Sequence, residues 1–414
     1  MAKAMRPILP SSLAHARSAF PLLRCQVHGH PLIYFDSAAT AQKPQSVIDA
    51  ISNFYSERYA TVHRAIYALS QSATHDYHTV RCAVRLFLNA AKEEEIIFTR
   101  GTTASINTVA YCFGKAFVRP GDEIIISILE HHSNIVPWQM MCEERGAHLK
   151  VIASDETATL FLDDYKNLLS EKTRLVAIAH ISNAFGTVHP IKEMAALAHS
   201  AGARVLIDGA QAAPHIPIDV QDLGADFYAF SGHKIYGPTG VGVLYGKEEL
   251  LELMPPYQGG GDMIETVTME KTSYHALPLK FEAGTPMIAE VIGLGAALAF
   301  IKDIGLEEIH RWEQQLLCYA VERLQEVAGL RIVGTAAKKG AIISFVVEGV
   351  HPLDIGTLLD LQGIAIRTGH HCAQPAMRHF GLSGTARLSF GLYNTIEEID
   401  RFIEALKQVI EALR

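Results

Sequence analysis

Short β-rich runs alternate with helical patterns along the first part of this chain. The β-rich runs cover residues 33–35, 95–99, 123–127, 148–153, 175–180, 204–208, 227–231 and 241–245. Between them, apolar residues recur every three or four positions, as at Val47, Ile51 and Tyr55. Such alternation is typical of an α/β fold, in which helices cover a mostly parallel sheet. Ligands of these sheets bind beyond the carboxyl ends of the strands, where Asp208 and Ser231 stand.

A different pattern follows in the last third of the chain. Residues 289–327 form one long helical stretch that Gly305 would interrupt. Short β-rich runs near residues 332, 342–347, 364–367 and 386–389 then precede a final helix at 396–413. We therefore predict a large domain over residues 30–300 and a smaller α+β domain over residues 1–29 and 301–414.

Composition argues against several classes of function. The chain has 414 residues and a net charge of −8, without a Lys/Arg-rich run, which disfavours a nucleic-acid binder. The longest apolar run, residues 291–301, is shorter than the roughly 20 residues that a membrane-spanning helix needs. Lys3, Arg6 and Arg17 lie near the N-terminus, but no apolar segment of a secretory signal accompanies them.

Six cysteines are spread along the chain without a Cys-x-x-Cys pair. This sparse spacing is not a disulfide framework and favours a reducing compartment, so we predict a cytoplasmic protein. Five of the cysteines, Cys25, Cys82, Cys112, Cys142 and Cys318, are interpreted as small buried apolar residues. The sixth, Cys372, has unusual neighbours.

Lys234 lies in Ser-Gly-His-Lys directly after an apolar run, and Asp208 and Gln211 follow another such run upstream. A lysine used for Schiff-base chemistry needs a pocket that disfavours its ammonium form. A pyridine cofactor needs a carboxylate partner that keeps its ring nitrogen protonated. The two residue types at strand ends predict a pyridoxal phosphate (PLP) site that contains Lys234 and Asp208.

Thr102 and Thr103 follow the β-rich run 95–99 and open a helical pattern. A helix N-terminus after a strand offers free backbone N–H groups and threonine hydroxyls to a phosphate. Ordinary capping of the helix by threonine is the alternative. A cofactor lysine elsewhere in the chain favours the phosphate.

Two further strand ends carry polar side chains. His131 follows the run 123–127 and could stack on a planar cofactor or transfer protons, or could be an ordinary loop histidine. Asn183 follows the run 175–180 and could hold a cofactor oxygen or a substrate carboxylate, or could be a turn residue. The residues alone leave these alternatives open.

Cys372 ends the segment Thr-Gly-His-His-Cys and allows three interpretations. It could be a free thiol in a surface loop. A zinc site is disfavoured because no fourth ligand stands at an expected spacing, and we predict no metal site. Arg367, His370 and His371 make the neighbourhood electropositive, which would favour a reactive thiolate. Arg387, inside a β-rich run, could bind a carboxylate through two hydrogen bonds or form an ion pair on an exposed strand face.

Together these motifs resemble the group II cysteine desulfurases (the SufS/CsdA type) within the class V aminotransferase family of fold-type I PLP enzymes. The resemblance extends almost end to end and includes Asp36-Ser37-Ala38-Ala39-Thr40, Val62-His63-Arg64, Arg100-Gly101-Thr102-Thr103, Glu130-His131-His132, Asp208-Gly209-Ala210-Gln211, Ser231-Gly232-His233-Lys234, Gly284-Thr285-Pro286 and Arg367 to Cys372. It implies a large domain built on a mostly parallel seven-stranded sheet sandwiched by helices. Tyr67, Ala104 and residues 287–290 differ from the common pattern.

The resemblance also implies a role for each motif residue. The catalytic residues would be Lys234, which forms the Schiff base, the nucleophile Cys372, and His131, which stacks over the ring. The cofactor would be bound by Thr102, Thr103, Asp208, Gln211, Ser231 and His233, and by Thr285 of a neighbouring subunit. The substrate would be bound by Asn183, Arg387, His63 and Arg64.

The implied activity is the conversion of L-cysteine to L-alanine, which leaves a persulfide on Cys372. The implied partners are a SufE- or SufU-like sulfur acceptor and a second copy of the chain. The implied role is sulfur supply for iron–sulfur cluster assembly, with selenocysteine lyase activity as a side reaction. Competing hypotheses are a kynureninase-like hydrolase, an aminotransferase, and a non-catalytic scaffold for a sulfur carrier; none of these needs both Lys234 and Cys372.

Overall fold

A computed structural model describes residues 7 and 9–414, so Lys3 and Arg6 lie outside the described residues. Its helices are α1 Ser11–Ser18, α2 Gln45–Asn53, α3 Ala68–Leu88, α4 Thr102–Phe117, α5 Val136–Arg145, α6 Leu162–Leu168, α7 Ile191–Ser200, α8 Glu248–Leu253, α9 Ile288–Ile304, α10 Leu306–Gln325, α11 Pro352–Asp360, α12 Gln374–His379 and α13 Ile396–Leu413. None of these described helices is both long enough and apolar enough to cross a bilayer.

The strands fall into one large sheet, one smaller sheet and short two-stranded pairs. They are β1 Gln26–Val27, β2 His30–Pro31, β3 Ile33–Tyr34, β4 Ile96–Thr99, β5 Glu123–Ser127, β6 His148–Ile152, β7 Thr173–Ala179, β8 Arg204–Asp208, β9 Phe227–Ser231, β10 Gly242–Gly246, β11 Ile264–Val267, β12 Thr272–Tyr274, β13 Leu330–Val333, β14 Ile342–Val347, β15 Ile364–Ala365, β16 Arg367–Gly369 and β17 Thr385–Ser389.

The large sheet has seven strands in the order β4-β10-β9-β8-β7-β5-β6. Strand β10 runs antiparallel to both neighbours, and the pairs from β9 to β6 are parallel. The predicted α/β fold with a mostly parallel seven-stranded sheet is therefore confirmed. Because β5, β7, β8 and β9 run in the same direction, their carboxyl ends meet at one edge of the sheet.

Two apolar cores cover the two faces of this sheet. Along β5, Ile124 and Ile126 belong to the core that also contains residues of α4 and α5, whereas Ile125 belongs to the core on the opposite face. Successive side chains of a strand point to opposite faces, so a continuous apolar run buries both. Each fully buried isoleucine stabilises the fold by about 1.5–3 kcal/mol, which explains why apolar runs form the inner strands.

The smaller sheet is antiparallel and has the order β13-β14-β17-β16. The long helical stretch leads into it and is broken where the sequence predicts, because α9 ends at Ile304 and α10 begins at Leu306. Gly305 joins them with φ 93°, a backbone conformation that only glycine adopts readily. The domain boundary near residue 300 stays a prediction.

One predicted strand has a different partner from the one expected. Residues 33–35 stand first in the alternating pattern, but Ile33–Tyr34 pairs in parallel with Ile364–Ala365 and not with the large sheet. Phe35 then packs edge to face against Phe390 and Phe402 in the C-terminal part. A short apolar run shows that a strand is buried, but it does not identify the partner.

The prediction that five cysteines are buried is wrong for three of them. Cys112 and Cys142 are buried, Cys82 is half-buried, and Cys25 and Cys318 are exposed. Cys318 lies on the solvent side of α10, whose buried face includes Leu316 and Ala320. A thiol is small enough for either environment, so residue type alone does not decide its burial.

Glu282 is the counter-charge of Arg81 in the interior of the large domain. Its two carboxylate oxygens accept hydrogen bonds from the Arg81 guanidinium at 2.8 and 2.9 Å. The Tyr77 hydroxyl and the Phe98 backbone N–H donate to the same carboxylate at 3.2 and 2.8 Å. Glu282 thus joins helix α3 and strand β4 to the segment that leads to α9.

Replacing Glu282 with alanine should lower the free energy of unfolding by about 3–5 kcal/mol, because Arg81 would remain buried and charged without its partner. Urea denaturation followed by circular dichroism measures the change. Asp163→Ala is the matched control, since the ion pair of Asp163 with Lys166 is exposed and its loss should cost no more than about 0.5 kcal/mol. Equal losses in the two variants would contradict the assignment.

Candidate active site

A cavity of about 310 Å³ lies at the carboxyl ends of the parallel strands. Its walls come from strand ends of the large sheet, from the N-terminus of α4, and from the part of the chain that contains β16 and β17. Its lining includes Ala38, Ala39, Thr102, Thr103, His131, Ser133, Ala179, Ile181, Asn183, Asp208, Ala210, Gln211, Ser231, His233, Lys234, Arg367, His371, Cys372 and Arg387. The structure thus brings eleven of the fourteen predicted site residues together in one place.

Lys234 ends a single 3-10 turn, Gly232–Lys234, that directly follows strand β9. The turn needs glycine at position 232, since a Cβ there would lie 2.7 Å from Val241 Cγ1 and 3.1 Å from the Val241 carbonyl oxygen. Burial lowers the pKa of Lys234 to about 8, although the charge of Asp208 acts in the opposite direction. A larger fraction of the amine is therefore unprotonated near neutral pH than in an exposed lysine, which suits a Schiff-base role.

Asp208 is the last residue of β8 and is buried, with its carboxylate held by the Ala210 backbone N–H at 3.0 Å. Burial raises its pKa, while that hydrogen bond and the charge of Lys234 act against the rise. Glycine is required at position 209, because a Cβ there would lie 2.1 Å from the Tyr228 ring. The carboxylate is the acidic group that could pair with a protonated ring nitrogen.

The N-terminus of α4 forms an anion site at the other end of the cavity. Gly101 precedes the helix with φ 145°, and no acidic residue lies in the first turn. Ser231 Oγ accepts the backbone N–H of Thr102 at 2.8 Å and lies 2.7 Å from the Thr102 hydroxyl. Threonine hydroxyls and N–H groups at the positive end of a helix dipole suit a phosphate.

His131 is a neutral ring in the wall of the cavity. Burial, followed by the charge of Lys234, lowers its pKa to about 3. Its Nδ1 accepts the Ser133 backbone N–H at 3.1 Å, so the ring proton is on Nε2. A neutral imidazole can lie against a planar cofactor without adding a second positive charge beside Lys234.

Arg387 lies on β17 of the smaller sheet and brings a buried cation to the cavity. It donates to the Asn183 carbonyl oxygen at 2.8 Å and to the Asp36 carboxylate at 3.1 Å. Arg367 donates to the same carboxylate at 2.8 Å. Burial lowers the pKa of Arg387 to about 10, so its charge persists at neutral pH with the help of Asp36.

Cys372 stands in an exposed loop whose backbone is held to the large domain. The His132 N–H donates to the Cys372 carbonyl oxygen at 2.7 Å, and Asn183 Nδ2 donates to the His371 carbonyl oxygen at 2.7 Å. His371 and Cys372 have φ values of 53° and 54°, which cost about 1–3 kcal/mol each in residues other than glycine. The thiol is thus carried at the mouth of the cavity by a strained and anchored backbone.

Three buried polar atoms of the cavity have no hydrogen-bond partner among the described residues: Gln211 Oε1, His371 Nδ1 and Arg387 Nε. Unpaired buried polar groups cost about 1–3 kcal/mol each, so they indicate a ligand. PLP fits this arrangement. Its phosphate suits the α4 N-terminus, its ring nitrogen suits Asp208, and its aldehyde carbon suits Lys234.

Three predicted residues lie outside the cavity. Thr285 is exposed, as its predicted role toward a neighbouring subunit requires. His63 is exposed, with φ 74° and its ring edge-on to Tyr77. Arg64 is exposed and pairs with Asp262 at 2.9 Å. The structure of one chain does not bring these side chains to the substrate.

Several lining residues have no predicted role in the sequence analysis. Arg367 appears there only as a positive neighbour of Cys372, and Ser133 and Ala38 do not appear as site residues. Asp36, the acceptor for both arginines, stands in a motif of the resemblance without an assigned role. Its position at the end of an apolar run, like that of Asp208, is the signal that could have found it.

The chain belongs to the aminotransferase class V family, whose sequence profile matches residues 33–402. It is 52% identical over 395 residues to a probable cysteine desulfurase 1 of Mycobacterium leprae, covering 95% of this chain and 65% of that protein. It is 51% identical to a cysteine desulfurase of Escherichia coli, covering 96% and 98% of the two chains. The chain spans only 58–65% of the length of three of these curated relatives, all of them described as cysteine desulfurases or probable cysteine desulfurases.

Solved structures agree with this assignment. The cysteine desulfurase CsdA of Escherichia coli superimposes with a TM-score of 0.91 at 42% identity, covering 97% of this chain and 99% of that one. A cysteine desulfurase from Thermococcus onnurineus gives a TM-score of 0.92 at 38% identity over the full length of both chains. The predicted family and fold are confirmed.

Replacing Asp208 with asparagine should move the pKa of Lys234 below about 8, because the negative charge that favours the ammonium form is removed. The pH dependence of Lys234 modification by an amine reagent, followed by peptide mapping of cofactor-free protein, measures the shift. Asp222→Asn is the control, since Asp222 pairs with Lys192 on the surface and should leave the midpoint unchanged. A midpoint that stays or rises in Asp208→Asn would refute this coupling.

Proposed function

We propose that the protein is a PLP-dependent cysteine desulfurase, which converts L-cysteine to L-alanine and leaves the sulfur as a persulfide on Cys372. One observation carries the proposal: Lys234 from the large domain and Cys372 from the small domain line the same cavity. The relatives named as cysteine desulfurases support it. A more distant solved structure, 25% identical, is described with glycine covalently linked to its PLP cofactor.

The cofactor would be held along the length of the cavity. Lys234 would hold the reactive carbon, Asp208 the ring nitrogen, and Gln211 the phenolic oxygen, with His131 against the ring face. Thr102, Thr103, Ser231 and His233 would surround the phosphate. The bound PLP supplies an electron sink that stabilises negative charge at the α-carbon of the substrate.

Arg387 would fix the substrate carboxylate. Its Nε has no partner among the described residues, and its NH2 is shared with Asp36, so one edge of the guanidinium faces the cavity. A carboxylate on that edge accepts two hydrogen bonds. A substrate bound in this way would have its α-carbon between Lys234 and Cys372, which line the same cavity.

Lys234 and Cys372 would then divide the chemistry. The amine of Lys234, with its lowered pKa, removes the α-proton. The Cys372 thiolate forms a sulfur–sulfur bond with the substrate as the bond between the substrate's β-carbon and sulfur breaks. The three-carbon remainder would gain one proton at its β-carbon and regain one at its α-carbon, and would then leave as L-alanine. The thiolate character of Cys372, expected from its basic neighbours, stays a prediction.

The anchored position of Cys372 suits transfer to a protein acceptor. Its loop is held by His132 and Asn183, and the segment from Cys372 to Arg387 is short. A persulfide on such a loop stays at the mouth, so the acceptor must come to it. We propose a SufE- or SufU-like acceptor, with iron–sulfur cluster assembly as the destination of the sulfur.

Two further parts of the proposal rest on the resemblance and on the cysteines. Selenocysteine has the same carbon skeleton and carboxylate as cysteine, so the same groups would allow a selenocysteine lyase side reaction.

A cytoplasmic location is supported by the six cysteines, all of which lie in the described part of the chain and none of which forms a disulfide.

The first test is to mix the purified protein with L-cysteine and a thiol reductant and to measure sulfide and alanine together. We expect equal amounts of both products from the wild type and loss of alanine formation in Cys372→Ala. Cys318→Ala should keep the wild-type rate, since that exposed thiol lies outside the cavity. Alanine formation at the wild-type rate in Cys372→Ala would disprove the nucleophile and favour another class V activity.

The proposal also assigns Thr285 to the phosphate site of a partner subunit in a homodimer. Lys234→Ala and Thr285→Ala chains should each have impaired activity as homodimers. If Thr285 acts across the interface, a mixed dimer of the two variants contains one fully wild-type site and should recover about half of the activity per dimer. Recovery would not occur if Thr285 served its own chain, because neither site would then be intact.

A further inference from the structure

His78, Cys82 and Glu93 form a compact cluster of three possible metal ligands outside the cavity already described. His78 Nε2 lies 2.7 Å from one carboxylate oxygen of Glu93, and the Cys82 thiol donates to the other at 3.0 Å. The Cys82 sulfur lies 3.7 Å from His78 Nδ1. One ligand atom from each side chain can be chosen so that all three lie within 4.8 Å of one another.

The backbone explains why these residues meet. His78 and Cys82 are four positions apart on α3, so they share one face of the helix. The helix ends at Asn89, which has a left-handed φ of 52° and reverses the chain. The 3-10 turn Glu93–Glu95 then returns alongside α3 and places Glu93 opposite the other two side chains.

The three donor types match one group of metals. Imidazole nitrogen, thiolate sulfur and carboxylate oxygen are all ligands of Zn²⁺, with bonds of about 2.0–2.3 Å, which place neighbouring ligand atoms about 3–4 Å apart. With one ligand atom taken from each side chain, the separations in this cluster are at most 4.8 Å, so small side-chain rotations would bring the three atoms to that spacing. Hard cations such as Mg²⁺ and Ca²⁺ prefer oxygen ligands, so a thiolate and an imidazole disfavour them.

The charges around the cluster also favour a bound metal cation over a reactive Cys82 thiol. The Glu93 carboxylate accepts the hydrogen bond of the Cys82 thiol at 3.0 Å, so a negatively charged group lies beside the sulfur. The adjacent Lys92 pairs with Glu248, and Arg85 donates to the Ala90 carbonyl oxygen, so both nearby cations have other partners. A divalent metal would supply positive charge to the thiolate and the carboxylate together.

We propose that His78, Cys82 and Glu93 bind Zn²⁺ or a similar transition-metal ion, with three protein ligands and solvent at the fourth position. On binding, the Cys82 thiol loses its proton to solvent and a metal–sulfur bond forms. The neutral imidazole, the thiolate and the carboxylate then balance the charge of the divalent ion. This site does not depend on the proposed desulfurase activity.

Such an ion would connect the last turns of α3 to the turn that precedes the edge strand β4. Its role would be structural, because none of the three ligands lines the catalytic cavity. A ligand that binds only the folded state raises its stability. We therefore expect bound zinc to raise the melting temperature without a change in the rate of the holoenzyme.

Cobalt(II) provides the direct test, because it replaces zinc and its thiolate complexes absorb strongly. The Cys372→Ala holoenzyme is used as the background, since Cys372 and its neighbouring histidines could also bind the ion. Titration with Co²⁺ should give two signals. One is a sulfur-to-metal charge-transfer band, measured as a difference from the metal-free protein. The other is a set of tetrahedral d–d bands at longer wavelengths, where PLP does not absorb. Cys82→Ser in this background should abolish the charge-transfer band.

Two ligand variants that retain the thiol make the test independent of folding. His78→Ala and Glu93→Gln should each weaken metal binding at least about tenfold, since loss of even an outer partner of a ligand costs about 10–100-fold. The matched controls are His75→Ala, an exposed histidine on the same helix, and Cys318→Ser, an exposed cysteine elsewhere. Both should bind as the background protein does.

The same variants are compared by thermal denaturation with and without zinc. Zinc should raise the melting temperature of the background protein and of both controls, but not that of Cys82→Ser. Absence of the cobalt bands at stoichiometric metal, or their persistence in Cys82→Ser, would overturn the proposal. Neither result depends on alanine or sulfide formation, so failure of this site and failure of the desulfurase proposal are distinguishable.

Discussion

The carboxylate of Asp36 supports the whole site, because it is shared by two arginines of the smaller sheet, Arg367 on β16 and Arg387 on β17. Arg387 is buried and could not keep its charge there without a nearby anion. Arg367 binds the same carboxylate through two nitrogens, at 2.8 and 3.0 Å. Asp36 follows the strand that pairs with β15, so one anion connects this segment to the smaller sheet and orients the Arg387 guanidinium in the cavity wall.

Much of the fold could be predicted because its signals are local. The apolar runs that became β5, β7, β8 and β9 are long enough to show burial, and Gly305 marks a real helix break. The partner of Ile33–Tyr34 and the reversed direction of β10 could not be predicted, since each depends on residues distant in sequence. The same limit explains the exposed Cys25 and Cys318, whose surroundings are set by tertiary packing.

In the candidate site too, some features could be predicted from local sequence, and others depend on residues that are distant in sequence. Lys234, Asp208, Thr102 and Asn183 all stand at strand ends or helix starts, and that position predicts a shared edge of the sheet. The pairing of Asp36 with Arg367 and Arg387 needs the folded chain, because the two arginines are distant from Asp36 in sequence. The roles predicted for Thr285, His63 and Arg64 concern surfaces of the described chain that lie outside its own cavity.

The side-chain amide of Asn183 has two possible hydrogen-bond acceptors. Its amide Nδ2 now holds the His371 carbonyl oxygen at 2.7 Å, while the proposed substrate carboxylate would approach the same amide. If the substrate takes this hydrogen bond, the backbone beside Cys372 loses one of the hydrogen bonds that hold it. Linkage is reciprocal, so substrate that loosens the loop would itself bind less tightly while the loop is held. Binding of the substrate and movement of the loop that carries Cys372 would then be coupled in a single equilibrium.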